Sequence, residues 1–242
     1  MPPRTDTDPA IDGQGPPDER GWRAYRPMLL RVYDAWVHGV SNHWLWRCPT
    51  RHLVSLYRDH LGPRHLDIGV GTGTLLARAL RHHNDTRVTL ADANEHCLHW
   101  ASKRVSRVVQ QPPRQRHVDF LTPDSVSPGD EHVNDRFDSV GLVYLLHCLS
   151  GEDAKRRALI YAARQLNPAG VCFGATLLGD PPAASRAARW LEHRYQQSGI
   201  FSNQSDSRPL VRGWLEESFT SVETWTIGHA LLFVARGPVV DQ

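Results

Sequence analysis

Asp67, Gly69, Gly71 and Gly73 occupy every second position across one junction. A short apolar run, His65-Leu66-Asp67-Ile68, leads in, and a helical-looking Leu75-Leu76-Ala77-Arg78-Ala79-Leu80 leads out. Glycine lets a backbone take positive φ and approach a ligand closely, so a glycine loop between a strand and a helix is suited to a nucleotide-like ligand. A tight strand–helix turn with no ligand is the plainer alternative. The dinucleotide fingerprint G-x-G-x-x-G is not met. Counted from Gly69, its third glycine falls on Thr74, and counted from Gly71 it falls on Leu76. A carboxylate two residues before the first glycine would repel a pyrophosphate. A ligand carrying an ammonium and a sulfonium would be attracted to it.

The elements that must position this loop follow from hydrophobic period. Leu29, Leu30, Tyr33, Trp36, Val37 and Val40 recur at helical spacing. Pro49-Thr50 opens another helix, to about His60, and Gly62-Pro63 stops it. From there strands and helices alternate: strand 64–68, helix 73–83, strand 87–91, helix 94–107, a short strand at 116–118, strand 137–144 and helix 151–166. Asn167-Pro168-Ala169-Gly170 reads as a turn into strand 171–178, and a helix is expected from about 183 to 197. Segments 221–227 and 230–236, joined by Gly228-His229, read as an antiparallel pair. Regular alternation implies a mostly parallel sheet covered on both faces. The expected class is α/β, Rossmann-like and seven-stranded, with an antiparallel C-terminal hairpin and an N-terminal helical cap. The expected organisation is a disordered tail over 1–20, a cap over 21–62 and a core over 63–242.

The run Asp67-x-Gly69-x-Gly71-x-Gly73 resembles the first motif of the class I S-adenosylmethionine (SAM)-dependent methyltransferases. Arg136 to Leu149 resembles the fourth-strand segment of that family, and Leu166 to Leu178 its fifth-strand turn. The resemblance spans roughly residues 60 to 180. It implies that Asp67, Gly69, Gly71 and Gly73 hold SAM, with S-adenosylhomocysteine (SAH) as product. It implies that Asp92, with Ala93 and Asn94 beside it, receives the ribose hydroxyls. Asp119 and Phe120 then meet the adenine, and Val143 borders the site. A loop cap is the alternative for Asp119. Residues 33–50, YDAWVHGVSNHWLWRCPT, resemble the cap of small-molecule methyltransferases of actinobacterial and fungal secondary metabolism, related to the ubiquinone/menaquinone C-methyltransferases.

Methyl transfer from an activated donor asks the protein mainly to position the acceptor and exclude water, with a base where the acceptor must lose a proton. Tyr144 and His147, after the fourth strand, are the catalytic candidates, joined by Tyr33 from the cap. An imidazole suits proton transfer near neutral pH. Core packing competes for both His147 and Tyr33. Trp44, Trp46 and the segment Gly199 to Ser207 are candidates to line the acceptor pocket.

The composition limits the partners. Net charge is +2 and no basic run occurs, so nucleic acid is not expected. No N-P-P-Y or D-P-P-Y follows the fourth strand, where Leu142-Val143-Tyr144-Leu145 stands, and no Asp there suggests a magnesium-dependent catechol enzyme. The 4 cysteines form no C-x-x-C pair, and the 14 histidines show no metal-ligand spacing. The polar, proline-rich N-terminus lacks a leader pattern, and no apolar run approaches the ~20 residues that cross a bilayer. A soluble cytoplasmic enzyme acting on a small organic acceptor, aromatic or indolic, without a metal is the expectation. The nucleophile is left open among C, N, O and S. A NAD(P)-dependent oxidoreductase and a non-catalytic SAM-binding protein are the alternatives.

Overall fold

The computed structural model describes residues 46–122, 136–179 and 186–239. Seven strands form one sheet: β1 (Arg64–Ile68), β2 (Arg87–Asp92), β3 (Arg114–His117), β4 (Phe137–Val143), β5 (Leu166–Leu177), β6 (Phe219–Ile227) and β7 (Ala230–Pro238). Their order is β3-β2-β1-β4-β5-β7-β6. β1 pairs in parallel with β2 and β4, whereas β7 runs antiparallel to both β5 and β6. The chain moves outward from β1 to β3, then returns to the other side of β1 as β4. That reversal leaves a crevice at the carboxyl ends of β1 and β4, the place where open α/β sheets bind ligands.

Side-chain alternation divides the core. Leu66, Ile68, Val140, Leu142, Leu231 and Phe233 meet helices α4 (Glu152–Gln165) and α6 (Arg208–Ser218). On the other face, Leu90, Phe173, Ala175, Leu232 and Val234 meet α1 (Thr50–His60), α2 (Thr74–Leu80) and α3 (Glu95–Val105). Helix α5 (Arg186–Gln197) follows β5. Both faces of β7 are covered, so every residue from Ala230 to Ala235 is buried. β6 is the edge, and its exposed positions are polar apart from Trp225.

Most expected elements stand within a few residues of their predicted bounds, and three differ. Strand β3 begins at Arg114, earlier than expected, and ends at His117. β5 starts at Leu166, because Asn167 to Gly170 form a bulge within the strand. Register passes from Phe137↔Leu166 to Ser139↔Val171, and the Asn167 amide donates to Asp138 Oδ1 at 2.8 Å. Helix α6 has no counterpart among the elements expected from the sequence, where Gly199 to Ser207 stands as a segment lining the acceptor pocket. Its signals were present. Ser207 caps the helix by accepting from Leu210 N–H, Pro209 sits in the first turn, and Val211, Trp214, Leu215 and Ser218 are buried on one stripe. The tail expected over 1–20 and the helical spacing from Leu29 to Val40 lie outside the described residues.

Trp214 is 1% exposed and lies under the Lys155 ammonium, 5.4 Å from the ring centroid. Trp214→Ala is expected to cost about 3–5 kcal/mol, the usual range for truncating a buried aromatic. Urea unfolding checks this, and a loss below about 1 kcal/mol would mean that α6 contributes little to the core.

Candidate active site

The crevice is built from three strand tips. After β1 the chain makes a loop in which Gly69, Gly71 and Gly73 all take left-handed φ, at 70°, 53° and 68°. Each glycine answers a different constraint. A Cβ on Gly69 would lie 2.7 Å from Leu145 Cδ1, and one on Gly73 would lie 2.9 Å from Ala101 Cβ on α3. A Cβ on Gly71 would meet no protein atom within 4 Å, so that glycine alone turns its free side to the crevice. The loop is tied to β2 by Gly69 N–H, which donates to Ala91 O at 2.7 Å. From α3, the Arg104 guanidinium donates to Thr72 O at 3.0 Å and to the Thr74 hydroxyl.

After β2, Asp92 spans the same loop. Its Oδ2 accepts Gly71 N–H at 3.1 Å and its Oδ1 accepts Asn94 N–H at 2.9 Å. The carboxylate is enclosed by protein but keeps a partly open face on the crevice. Burial raises its pKa to about 6; the backbone donors at Asn94 and Gly71 work against that, and the Asp67 charge adds to it. Asn94 caps α3 by accepting His96 N–H at 2.9 Å. After β3, Asp119 accepts Leu121 N–H at 2.9 Å and the Thr122 hydroxyl at 3.2 Å, so it does cap its loop. It also borders the crevice, and Phe120 beside it is buried against Tyr161.

These tips enclose a cavity of about 220 Å³. Asp67, Gly69, Gly71, Gly73, Asp92, Ala93, Asn94, Asp119, Phe120, Val143 and Tyr144 all line it. The side chains of Leu121, Leu145, Leu149 and Ile200 add apolar surface to its lining.

His147 does not line this cavity. It is 3% exposed, with its ring edge-on to Phe201 at 4.7 Å and to Tyr144 at 5.6 Å. Its Nδ1 lies 3.4 Å from both Thr176 Oγ1 and Leu177 N. Burial, and secondarily the Lys155 charge, pushes its pKa down to about 3. Tyr144 lines the cavity with φ at 65°, a backbone region that bulky residues rarely occupy. Its hydroxyl is buried beside the Cys48 thiol, and burial, followed by that thiol, raises its pKa well above the phenolic range. Burial, with Asp92 behind it, pushes the Cys148 thiol up to about 12.

Tyr33 and Trp44 lie outside the described residues. Trp46 is 2% exposed and packs against Phe201 and His229, so it belongs to the core and not to the cavity wall. Of the segment expected at the acceptor pocket, Gly199 and Ile200 line the cavity. The rest is anchored from below: Lys155 Nζ donates to both Asp206 oxygens, at 2.6 and 2.7 Å, and to Ser202 O at 2.6 Å.

Two residues of the site were missed in the sequence. Arg104 gave no signal, since a last-turn arginine suits any helix. Tyr57 did give one. It shares a helical stripe with Leu53 and Leu56, so its hydroxyl had to find a buried partner, and that partner is Asp67 at 2.8 Å.

Comparison with known proteins agrees with this geometry. Residues 66–172 match the methyltransferase domain family. The chain is 36% identical over 224 residues to a physcion biosynthesis cluster O-methyltransferase of Aspergillus chevalieri, covering 92% of this chain and 97% of that one. It is 34% identical over 231 residues to the O-methyltransferase adaD of Aspergillus niger, covering 93% and 91%. Among solved structures, N-methyltransferase NodS from Bradyrhizobium japonicum, in complex with SAH, superposes with a TM-score of 0.60 at 16% identity, over 91% of this chain and 100% of that one. An O-methyltransferase family protein from Burkholderia thailandensis gives 0.64 at 16% identity, over 90% of this chain and 62% of that one. The likeness to these structures shows the fold.

The loop glycines separate by stability. Gly71→Ala is expected to lose only the left-handed backbone penalty, about 1–2 kcal/mol. Gly73→Ala adds the collision with Ala101, about 1–3 kcal/mol more. Equal losses in urea unfolding would contradict the separate constraints described above.

Proposed function

The chain belongs to the class I SAM-dependent methyltransferases, and on that premise we propose that it methylates a hydroxyl oxygen of a small, flat, carbon-rich acceptor of natural-product type, without a metal. One observation carries the reading: the glycine loop and its acids line the same cavity as the apolar side chains of Leu121, Leu145, Leu149 and Ile200. The names of the Aspergillus relatives support oxygen as the nucleophile.

The residues present fit the cofactor. Gly71 leaves open the volume that a side chain would fill, and Asp92 keeps lone pairs on the cavity side of its two backbone bonds. Asp67 would face the ammonium end, Asp92 would accept the ribose hydroxyls, and Asp119 with Phe120 would receive the adenine. SAM supplies an activated methyl group on a sulfonium. The chain's own work is to hold the acceptor in line, exclude water and leave the acceptor oxygen free to attack. Tyr144 and Cys148 are held protonated by burial, and Asp92 is committed to the ribose. His147 is therefore assigned to packing, and the acceptor hydroxyl is assigned its own ionisation, as in a phenol. Among the described residues no three His, Cys, Asp or Glu side chains converge, so no metal ligand is assigned. None of the described helices is long and apolar enough to cross a membrane.

Incubation with methyl-labelled SAM and a panel of hydroxylated, aminated and thiolated aromatics tests the proposal. Label on a phenolic oxygen is expected, whereas label only on carbon, nitrogen or sulfur would refute it. With the acceptor found, His147→Phe is expected to keep kcat within about threefold. A fall of about 10²–10⁴ would restore the imidazole as general base.

Asp92 adds a pH dependence. Its pKa stands at about 6, and hydroxyl donors favour the ionised form. SAH affinity is therefore expected to hold above that pH and to weaken below it, approaching about tenfold per pH unit. Asp92→Asn should abolish the pH step and weaken SAH at neutral pH. An affinity flat from pH 7.5 to about 5 in the parent would contradict the ribose assignment.

A further inference from the structure

Behind the first acid of the glycine loop lies a chain of buried polar groups that the reaction does not use. Asp67 is 2% exposed, His65 0% and Ser139 0%, all within the sheet's central strands. The Tyr57 hydroxyl donates to Asp67 Oδ1 at 2.8 Å. His65 Nε2 faces the same oxygen at 3.7 Å. On the far side of the ring, His65 Nδ1 is 2.9 Å from Ser139 Oγ, which accepts Gly62 N–H at 2.8 Å. Ser139 Oγ and His65 Nδ1 share one hydrogen bond, which fixes the plane of the imidazole and turns its Nε2 edge to Asp67. The imidazole is held flat by stacking on Phe173, at 5.7 Å and 15°. Gly141 leaves the room required: a Cβ there would stand 2.8 Å from Asp67 Oδ1.

Among the described residues, both side-chain contacts of Asp67 fall on Oδ1. Rotating this buried carboxylate would leave the Tyr57 hydroxyl unpaired in a low-dielectric site, while His65 Nε2, beyond hydrogen-bond length at 3.7 Å, acts on the same oxygen as an electrostatic neighbour. Resting on the SAM-binding reading above, we propose that Tyr57, with His65 and Ser139, is a positioning relay that holds Asp67 with Oδ1 toward the protein and Oδ2 toward the amino-acid end of the cofactor. Tyr57 is a positioning residue in this scheme, because it acts through Asp67. The relay joins α1, β1 and β4, and so connects the orientation of one carboxylate to the packing of helix α1 on the sheet.

The test uses the full chain and two ligands, SAH and 5′-methylthioadenosine, which lacks the amino-acid end. Tyr57→Phe removes one oxygen and keeps the ring packed edge-on to Phe173. Calorimetry is expected to show SAH weakened about five- to tenfold, with methylthioadenosine unchanged within about twofold. In an Asp67→Asn background the Tyr57→Phe effect on SAH should vanish, since the group it positions is already altered. His65→Phe, which keeps the stack and loses both ring nitrogens, should reproduce the split between the two ligands. Equal weakening of both ligands, no weakening of either, or a Tyr57→Phe effect that persists in full beside Asp67→Asn would overturn the relay. Failure of the parent protein to bind SAH would instead overturn the cofactor reading on which the relay rests.

Discussion

The chain between Ile68 and Thr74 leaves a central strand, turns, and enters a helix within five residues, and it does so with three of them at positive φ. Nearly every other feature of the site is a consequence of that turn. Positive φ admits glycine readily and other residues at a cost. Without side chains at these positions, Leu145 can close on Gly69, α3 can close on Gly73, and the volume beside Gly71 stays open. The same turn directs Gly71 N–H at Asp92 and thereby fixes the second strand tip to the first. Arg104 then holds the outer edge of the loop from α3.

Electrostatics follow from this geometry. The β1 and β2 tips bring Asp67 and Asp92 around one cavity, close enough that Asp67 contributes to raising Asp92. Such a site is poorly matched to a pyrophosphate and well matched to a ligand that carries positive charge and donates hydroxyl protons. Asp119 plays two parts at once, capping its own loop through Leu121 and Thr122 while bordering the cavity. Part of the apolar lining depends on a separate construction. Gly199 and Ile200 reach the cavity from a segment anchored by the buried Lys155–Asp206 pair, so their position is set by contacts well outside the cavity.

Much of this was legible in the sequence, and the limits are physical. Strand β1, the glycine loop and the acids at 67, 92 and 119 are local signals, because each needs only a strand end and a residue type. β7 was legible as a strand, but its place between β5 and β6 is a pairing, and pairings are not local. Helix α6 was missed because Ser207, Pro209 and the polar residues before them serve a loop and a helix start equally well. His147 shows a different limit. Its residue type and position after β4 suggested a base, yet proton affinity is set by surroundings, and here Phe201, Tyr144 and Lys155 surround it. Tyr57 was legible only as a core residue, since the acid it serves stands ten positions later on another element. The relation to quinone C-methyltransferases rests on residues 33–50, of which only 46–50 are described.

The central claim is that the glycine loop and its acids form a site for SAM in place of a dinucleotide. Parallel calorimetric titrations of the full chain with SAH and with NADPH test it most directly. The account predicts saturable binding of SAH at one site per chain and no binding heat from NADPH at the same concentrations. Saturable binding of NADPH, with none of SAH, would contradict it.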